Sequence, residues 1–209
     1  MVHTDYSSKD YDGTGRTQGG YVVAATTDMF SKGEEAPWSP LVWRSYKIRR
    51  GVGSTLAGEA QVLSGGLGHL EWMACFFAAA LFPTFLLEDR TEYMRLFGMQ
   101  AVIDCKSVFD HITKPGSPGG VEDKRCAIDM SIIRQSLARL VCALRWAPTA
   151  LQLADGLTKD SAEPLDLLRA CLRHGVYQLA SEASVLAEAL QERIRRKERK
   201  AAIVGSPTS

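Results

Sequence analysis

The chain has 209 residues, enough for one sizeable domain with its own core, and an ordinary globular composition. A formal charge of +1 excludes a strongly basic or acidic protein but leaves room for a phosphate partner, which needs only a local basic patch. The cysteines, at 75, 105, 126, 142 and 171, are odd in number and lack metal-type spacing. They speak against a disulfide scaffold and for reduced thiols in an intracellular protein, cytoplasmic or nuclear.

The N-terminus does not read as a signal peptide. Met1 to Thr4 reads as the tail end of a strand, followed by a polar loop from Ser7 to Gly19. The β-rich run Gly20 to Thr26 gives a second strand. A loop with Gly33, Pro37 and Pro40 leads to a third, whose apolar–polar alternation runs from Leu41 to Arg50. Hairpin-length loops between them imply an antiparallel meander. Ser54 predicts the N-cap of a helix running to about Phe82 and ended by Pro83. Glycines 58, 65, 66 and 68 lie inside it. Each costs ~1 kcal/mol relative to alanine, so close packing on the sheet or a break near Gly65 and Gly66 is expected. The apolar stretch from Trp72 to Leu87 is shorter than the ~20 residues that span a bilayer, and reads as a core helix with no membrane partner.

Glu88 to Gly98 reads as a charged, exposed linker, and Met99 to Asp104 as a short buried strand. A helix from Ser107 to Ile112 and a loop from Lys114 to Gly120 follow. Lys124 to Leu140 is amphipathic, with Ile128, Ile132, Ile133 and Leu137 at helical spacing. Val141 to Trp146 gives the last strand, and Leu165 to Leu172 a helix beyond Pro164. Residues 1–180 therefore form one α/β domain, a mixed five-stranded sheet (three antiparallel strands, then two parallel) with flanking helices. Residues 181–209 form a charged tail, helical by propensity from Ser184 to Lys200, ending in a disordered C-terminus.

Four carboxylates carry the chemistry. Asp5 ends the first apolar run, Glu59 lies one turn into the long helix, Asp104 caps Ala101-Val102-Ile103, and Asp155 opens Asp155-Gly156-Leu157-Thr158-Lys159. In α/β folds, strand carboxyl ends and first helical turns face one crevice. Four acids gathered there would repel, and the sequence offers little fixed positive charge to offset them. Divalent cations are the natural solution, and hard oxygen ligands suit Mg²⁺ or Mn²⁺. Two such ions ~4 Å apart activate water and stabilise the leaving oxygen of a phosphodiester. Singly, each residue has a plainer role: Asp155 as a helix cap, Glu59 as a helix-start acid, any of them as solvated surface.

Arg44, Lys47, Arg49 and Arg50 cluster at the end of the third strand, and Lys106 follows Asp104. They suit phosphate contacts to a nucleic acid, or a solubilising sheet edge. The basic run Arg193 to Lys200 suits nucleic acid, a nuclear address or a solvated helix. The histidines, at 3, 69, 111 and 174, have no zinc-type spacing, and no P-loop, dinucleotide or Gly-x-Ser-x-Gly motif occurs.

From Thr4 to about Leu179 the chain resembles the ribonuclease H domain of copia-type LTR retrotransposon polyproteins. The resemblance is carried by Thr4-Asp5-Tyr6-Ser7, Thr17-Gln18-Gly19-Gly20-Tyr21, Trp43-Arg44-Ser45 and Ser54-Thr55-Leu56-Ala57-Gly58-Glu59-Ala60. Ile103-Asp104-Cys105-Lys106-Ser107, Arg145-Trp146-Ala147-Pro148-Thr149 and Leu153-Ala154-Asp155-Gly156-Leu157-Thr158-Lys159 complete it, in the same order. It implies an RNase H-like fold, two Mg²⁺ or Mn²⁺ ions, and hydrolysis of the RNA strand of an RNA–DNA hybrid. Asp5 would bridge the ions, Asp155 would share the ion that activates water, and Glu59 and Asp104 would complete the other. The implied partners are the hybrid and the other polyprotein domains, reverse transcriptase and integrase. Relatives carry a histidine before the last aspartate, whereas 147–154 has none, which implies slower turnover or a substitute group. The first strand, normally central and longer than Met1 to Thr4, suggests a fragment beginning inside that strand. With the glycine-rich helix it points to the alternative, a decayed or domesticated remnant that binds nucleic acid without cutting.

Overall fold

A computed structural model describes residues 1–8, 17–48, 51–114 and 123–179, with isolated positions between 187 and 195. The first strand, β1 (Val2–Ser7), continues three residues beyond the expected stretch and is buried throughout, because it lies in the middle of the sheet. β2 (Gln18–Thr26) and β3 (Ala36–Lys47) pair antiparallel beside it. β4 (Gln100–Ile103) and β5 (Ala143–Trp146) extend the other side in parallel. A sixth strand, β6 (Val176–Tyr177), pairs with Ala36 and Pro37, giving the order β5-β4-β1-β2-β3-β6. The mixed α/β architecture is as expected from the sequence. The two-residue sixth strand is too short to leave a periodic signal.

β3 begins five residues before the expected Leu41 and runs through Pro37 and Pro40. Two features make this possible. β3 has β2 as a neighbour along its length and β6 only at its start, so few donors are needed, and a register shift passes over Leu41 between the Val42 and Pro40 pairs.

α1 (Thr55–Leu81) is one unbroken helix, with the Ser54 hydroxyl accepting from the Ala57 amide at 3.2 Å. Its glycines take the close-packing route. A Cβ on Gly58 would stand within 2.6 Å of three Tyr6 ring atoms, and one on Gly66 2.5 Å from Thr4 Cγ2. The expected linker contains a short helix, α2 (Arg90–Met94), anchored by the buried Met94. α3 (Lys106–Thr113) and α4 (Lys124–Leu140) follow. α4 has the expected bounds but a different inward face: Cys126, Met130, Ile133, Leu137 and Leu140 are buried, while Ile128 and Ile132 are exposed. α5 (Ala162–His174) starts before Pro164, which is accommodated in the first turn where amide donors have no helical partner.

The sheet alternation divides the core. Val2, Tyr21, Val23, Ala101 and Ile103 pack with α1 and α4, whereas Val22, Ala24, Val102, Leu153 and Leu168 pack on the α5 side. No disulfide forms among the described residues, and no helix among them is long and apolar enough to cross a membrane. The loop around 115–122, Arg49, Arg50 and nearly all of the tail lie outside the described residues.

Candidate active site

The parallel pairing of β1 and β4 sets the site. Its register matches His3 with Val102, so Asp5 and Asp104 stand two residues further along adjacent strands. Two residues return a side chain to the same face, and neighbouring strands lie ~4.8 Å apart. Asp155 arrives from a 3-10 turn, Leu153–Leu157, and not from an α-helix. That turn presses on β2 at Gly20, the partner of Asp5, where a Cβ would meet Thr158 Cγ2 at 2.7 Å and Leu157 Cβ at 2.9 Å. The fully buried Gln152 fastens the turn. Its Nε2 donates to the carbonyls of Thr4 (3.0 Å) and Val102 (3.4 Å), and its Oε1 lies 2.8 Å from His3 Nδ1.

Asp5, Asp104 and Asp155 each offer a carboxylate oxygen within 4.8 Å of the others. Glu59 falls outside that tight group but is buried beside it, close enough to feel the charges of all three. Burial, then the charges of Asp5 and Asp104, push its carboxyl up to about 10. Burial also raises Asp155, reinforced by the Asp5 charge and opposed by the hydrogen bond from Lys159. Asp5 is raised mainly by burial, against a hydrogen bond from the Thr158 hydroxyl.

Two oxygens in this group, Glu59 Oε2 and Asp155 Oδ1, are buried without a hydrogen-bond partner. A buried carboxylate oxygen left unpaired is costly, and a divalent cation is the partner that hard oxygen donors accept. The residues present therefore fit a centre for a hard divalent cation.

The sequence missed one fixed cation. Lys159 Nζ pairs with Asp155 Oδ2 and lies 3.8 Å from Asp5 Oδ1, so the cluster is not without positive charge. Burial alone would lower this ammonium, but the Asp155 hydrogen bond and the surrounding carboxylates outweigh it, and its pKa is raised. The spacing Asp155 to Lys159 was visible as i, i+4 on a segment that is not an extended helix. Gln152, Thr158 and Gly20 were also missed as positioning residues, and only Thr158 lay in a quoted motif with a polar group to notice. In the segment that lacks histidine, the Thr149 hydroxyl donates to Asp104 Oδ2 at 2.8 Å.

Of the basic residues singled out in the sequence, Lys106, Arg44 and Lys47 are among the described residues. Lys106 stands next to the site but is held 3.2 Å from Asp110 Oδ1, with its Nζ 4.5 Å from the Phe109 ring centre and 5.5 Å from that of Trp146. The Arg44 guanidinium covers the Tyr46 ring at 5.0 Å, and Lys47 is exposed at the end of β3. An apolar cavity of about 600 Å³, lined by Val23, Leu41, Leu70, Met73 and Phe77 among others, opens at the opposite end of the sheet and includes none of these groups.

Fold and site together define a mixed α/β domain with an acidic cluster at the carboxyl ends of its central parallel strands. No family model matches the chain, and no curated protein matches it. Among solved structures it is similar to RNase H1 from the halophilic archaeon Halobacterium salinarum NRC-1, at 16% identity and a TM-score of 0.45, covering 79% of this chain and 96% of that one. It is also similar to the N-terminal RNase H domain of Rv2228c from Mycobacterium tuberculosis, solved as a fusion with maltose binding protein. There the identity is 15% and the TM-score 0.42, covering 82% of this chain and 94% of that one.

Proposed function

We propose that this chain is a divalent-metal-dependent ribonuclease H, hydrolysing the RNA strand of RNA–DNA hybrids and derived from a copia-type retrotransposon polyprotein. The observation that carries the reading is the convergence of Asp5, Asp104 and Asp155 within 4.8 Å, with Glu59 buried alongside and two carboxylate oxygens unpartnered. When bound, a pair of Mg²⁺ or Mn²⁺ ions supplies the Lewis acidity that activates water and stabilises the leaving oxygen. Asp5 and Asp155, the most buried of the acids, orient the attacking side, and Asp104, more open, faces the scissile phosphate. Thr149, in the segment where many relatives carry a histidine, holds the Asp104 carboxylate in place. Lys106, Arg44, Lys47, Arg49 and Arg50 are the proposed phosphate contacts to the hybrid, and 181–209 a separate basic tail. In the polyprotein, reverse transcriptase and integrase would be the neighbouring domains.

The two features that favoured a non-cutting remnant have structural explanations. β1 is a central strand of six residues, and Gly58 and Gly66 are where α1 meets Tyr6 and Thr4. The test is cleavage of a labelled hybrid in Mg²⁺ by wild type and Asp104→Asn. Loss of at least about 10²-fold in rate with an unchanged melting curve is expected, on the scale of other electrostatic catalytic deletions. Undiminished cleavage by the variant removes the assignment.

A further inference from the structure

We propose that Lys159 is a tethered cation that holds Asp5 and Asp155 together until a divalent ion displaces it, and so sets the ion concentration at which the site loads. This deepens the nuclease reading and rests on it. The Lys159 ammonium pairs with Asp155 and reaches Asp5 at 3.8 Å. Both belong to the trio whose oxygens would hold the ion. An ion entering that trio meets a positive charge already seated on two of its three ligands. Ammonium and metal repel, and the oxygens engaged by one are withheld from the other.

Only the side chain has freedom to leave. The Lys159 amide donates to the Asp155 carbonyl at 3.0 Å, and the neighbouring Thr158 is held by Asp5 and by the approach of Gly20. The stem therefore swings from a fixed base, and the displaced charge stays at the rim of the cluster, where an anionic phosphodiester would lie. Lysine suits this role because its ammonium is a compact charge on a flexible stem, unlike the rigid guanidinium fork. Lys106, the other nearby lysine, is already engaged by Asp110 and two aromatic rings.

The test titrates the full chain with Mg²⁺ or Mn²⁺ alone, by calorimetry and without nucleic acid. Lys159→Met and Lys159→Gln should bind the ion about tenfold more tightly than wild type, equivalent to ~1.4 kcal/mol. Lys159→Arg, which keeps the charge but not the compact ammonium, should bind the ion more weakly than the neutral variants. In wild-type protein with ¹⁵N-labelled lysine, a protected ammonium signal should shift as Mg²⁺ is added, and this readout decides the matter should the neutral variants not fold. Equal ion affinity in wild type and the neutral variants, or an ammonium signal indifferent to bound Mg²⁺, overturns the displacement and leaves the nuclease reading standing. Absence of Mg²⁺ and Mn²⁺ binding in every form overturns both.

Discussion

The two halves of α1 carry one glutamate each into different surroundings. In the first half, Glu59 is buried beside the group of Asp5, Asp104 and Asp155, with Oε2 unpartnered. In the second, Glu71 lies between Arg90, at 3.4 Å, and Arg139 in an ordinary partly exposed ion pair. The backbone follows the same division. Gly58 and Gly66 bring the helix against Tyr6 and Thr4, whereas Gly68 has nothing within 4 Å and the outward face becomes Trp72, Phe76 and Leu81. The glycines that meet neighbouring side chains closely therefore lie in the half that delivers a carboxylate to the cluster. The other half packs through Leu70, Met73 and Ala74 and carries the ion pairs on its outer side.

Breaking the close half should have the largest effect. Gly58→Ala puts a methyl group into the buried Tyr6 ring, so the ring or the first turns of α1, which bear Glu59, must shift. We expect a loss of about 1–3 kcal/mol in urea melts, typical of overpacking, together with a fall in hybrid cleavage larger than the stability loss explains. Wild-type cleavage by a fully folded Gly58→Ala protein contradicts the idea that the approach positions Glu59.

A second effect is the pH dependence that Glu59 brings to the close half. Burial and the neighbouring charges move the Glu59 carboxyl from 4.5 up to about 10. The unfolded chain releases this proton near its ordinary pKa, while the folded chain keeps it. Its contribution to stability is full at low pH and is lost as pH rises through that window. In chelator, unfolding free energy should therefore decline from acid towards alkaline pH. Glu59→Gln should flatten the decline, and Mg²⁺ should restore stability most at the alkaline end, because binding favours the folded state. A Glu59→Gln protein with the wild-type slope places the cause elsewhere.

The smallest effect belongs to the open half. Gly68→Ala meets no neighbouring atom and gains helix propensity, so it should raise stability by up to ~1 kcal/mol and leave cleavage unchanged. Destabilisation there would mean that the two kinds of glycine are not distinct.

These contrasts also mark what a sequence can disclose. Strand and helix order followed from hydrophobic period and caps, and Asp104 was readable because it ends an apolar run. Whether a glycine is a weakness or a contact was not readable, since Gly58 and Gly68 differ only in what faces them across the sheet. Ile128 and Ile132 share the helical spacing of Ile133 yet face outward, because several faces of α4 are apolar enough to be the buried one. β3 was started late because proline argues against a strand unless its outer position is known. Lys159 was passed over because its partner Asp5 lies 154 residues away, and only folding makes them neighbours.

Gln152 links the carbonyls of Thr4 and Val102 with the turn that bears Asp155. Three of the four acids consequently ride on one block, coupled through the sheet itself, with α5 packed against the turn at Gly156 through Pro164 and Leu168. The parts of the cluster outside that block are the start of α1, which bears Glu59, and the stem of Lys159. The geometry of the acidic cluster is therefore decided by the same contacts that pair the strands and seat the turn.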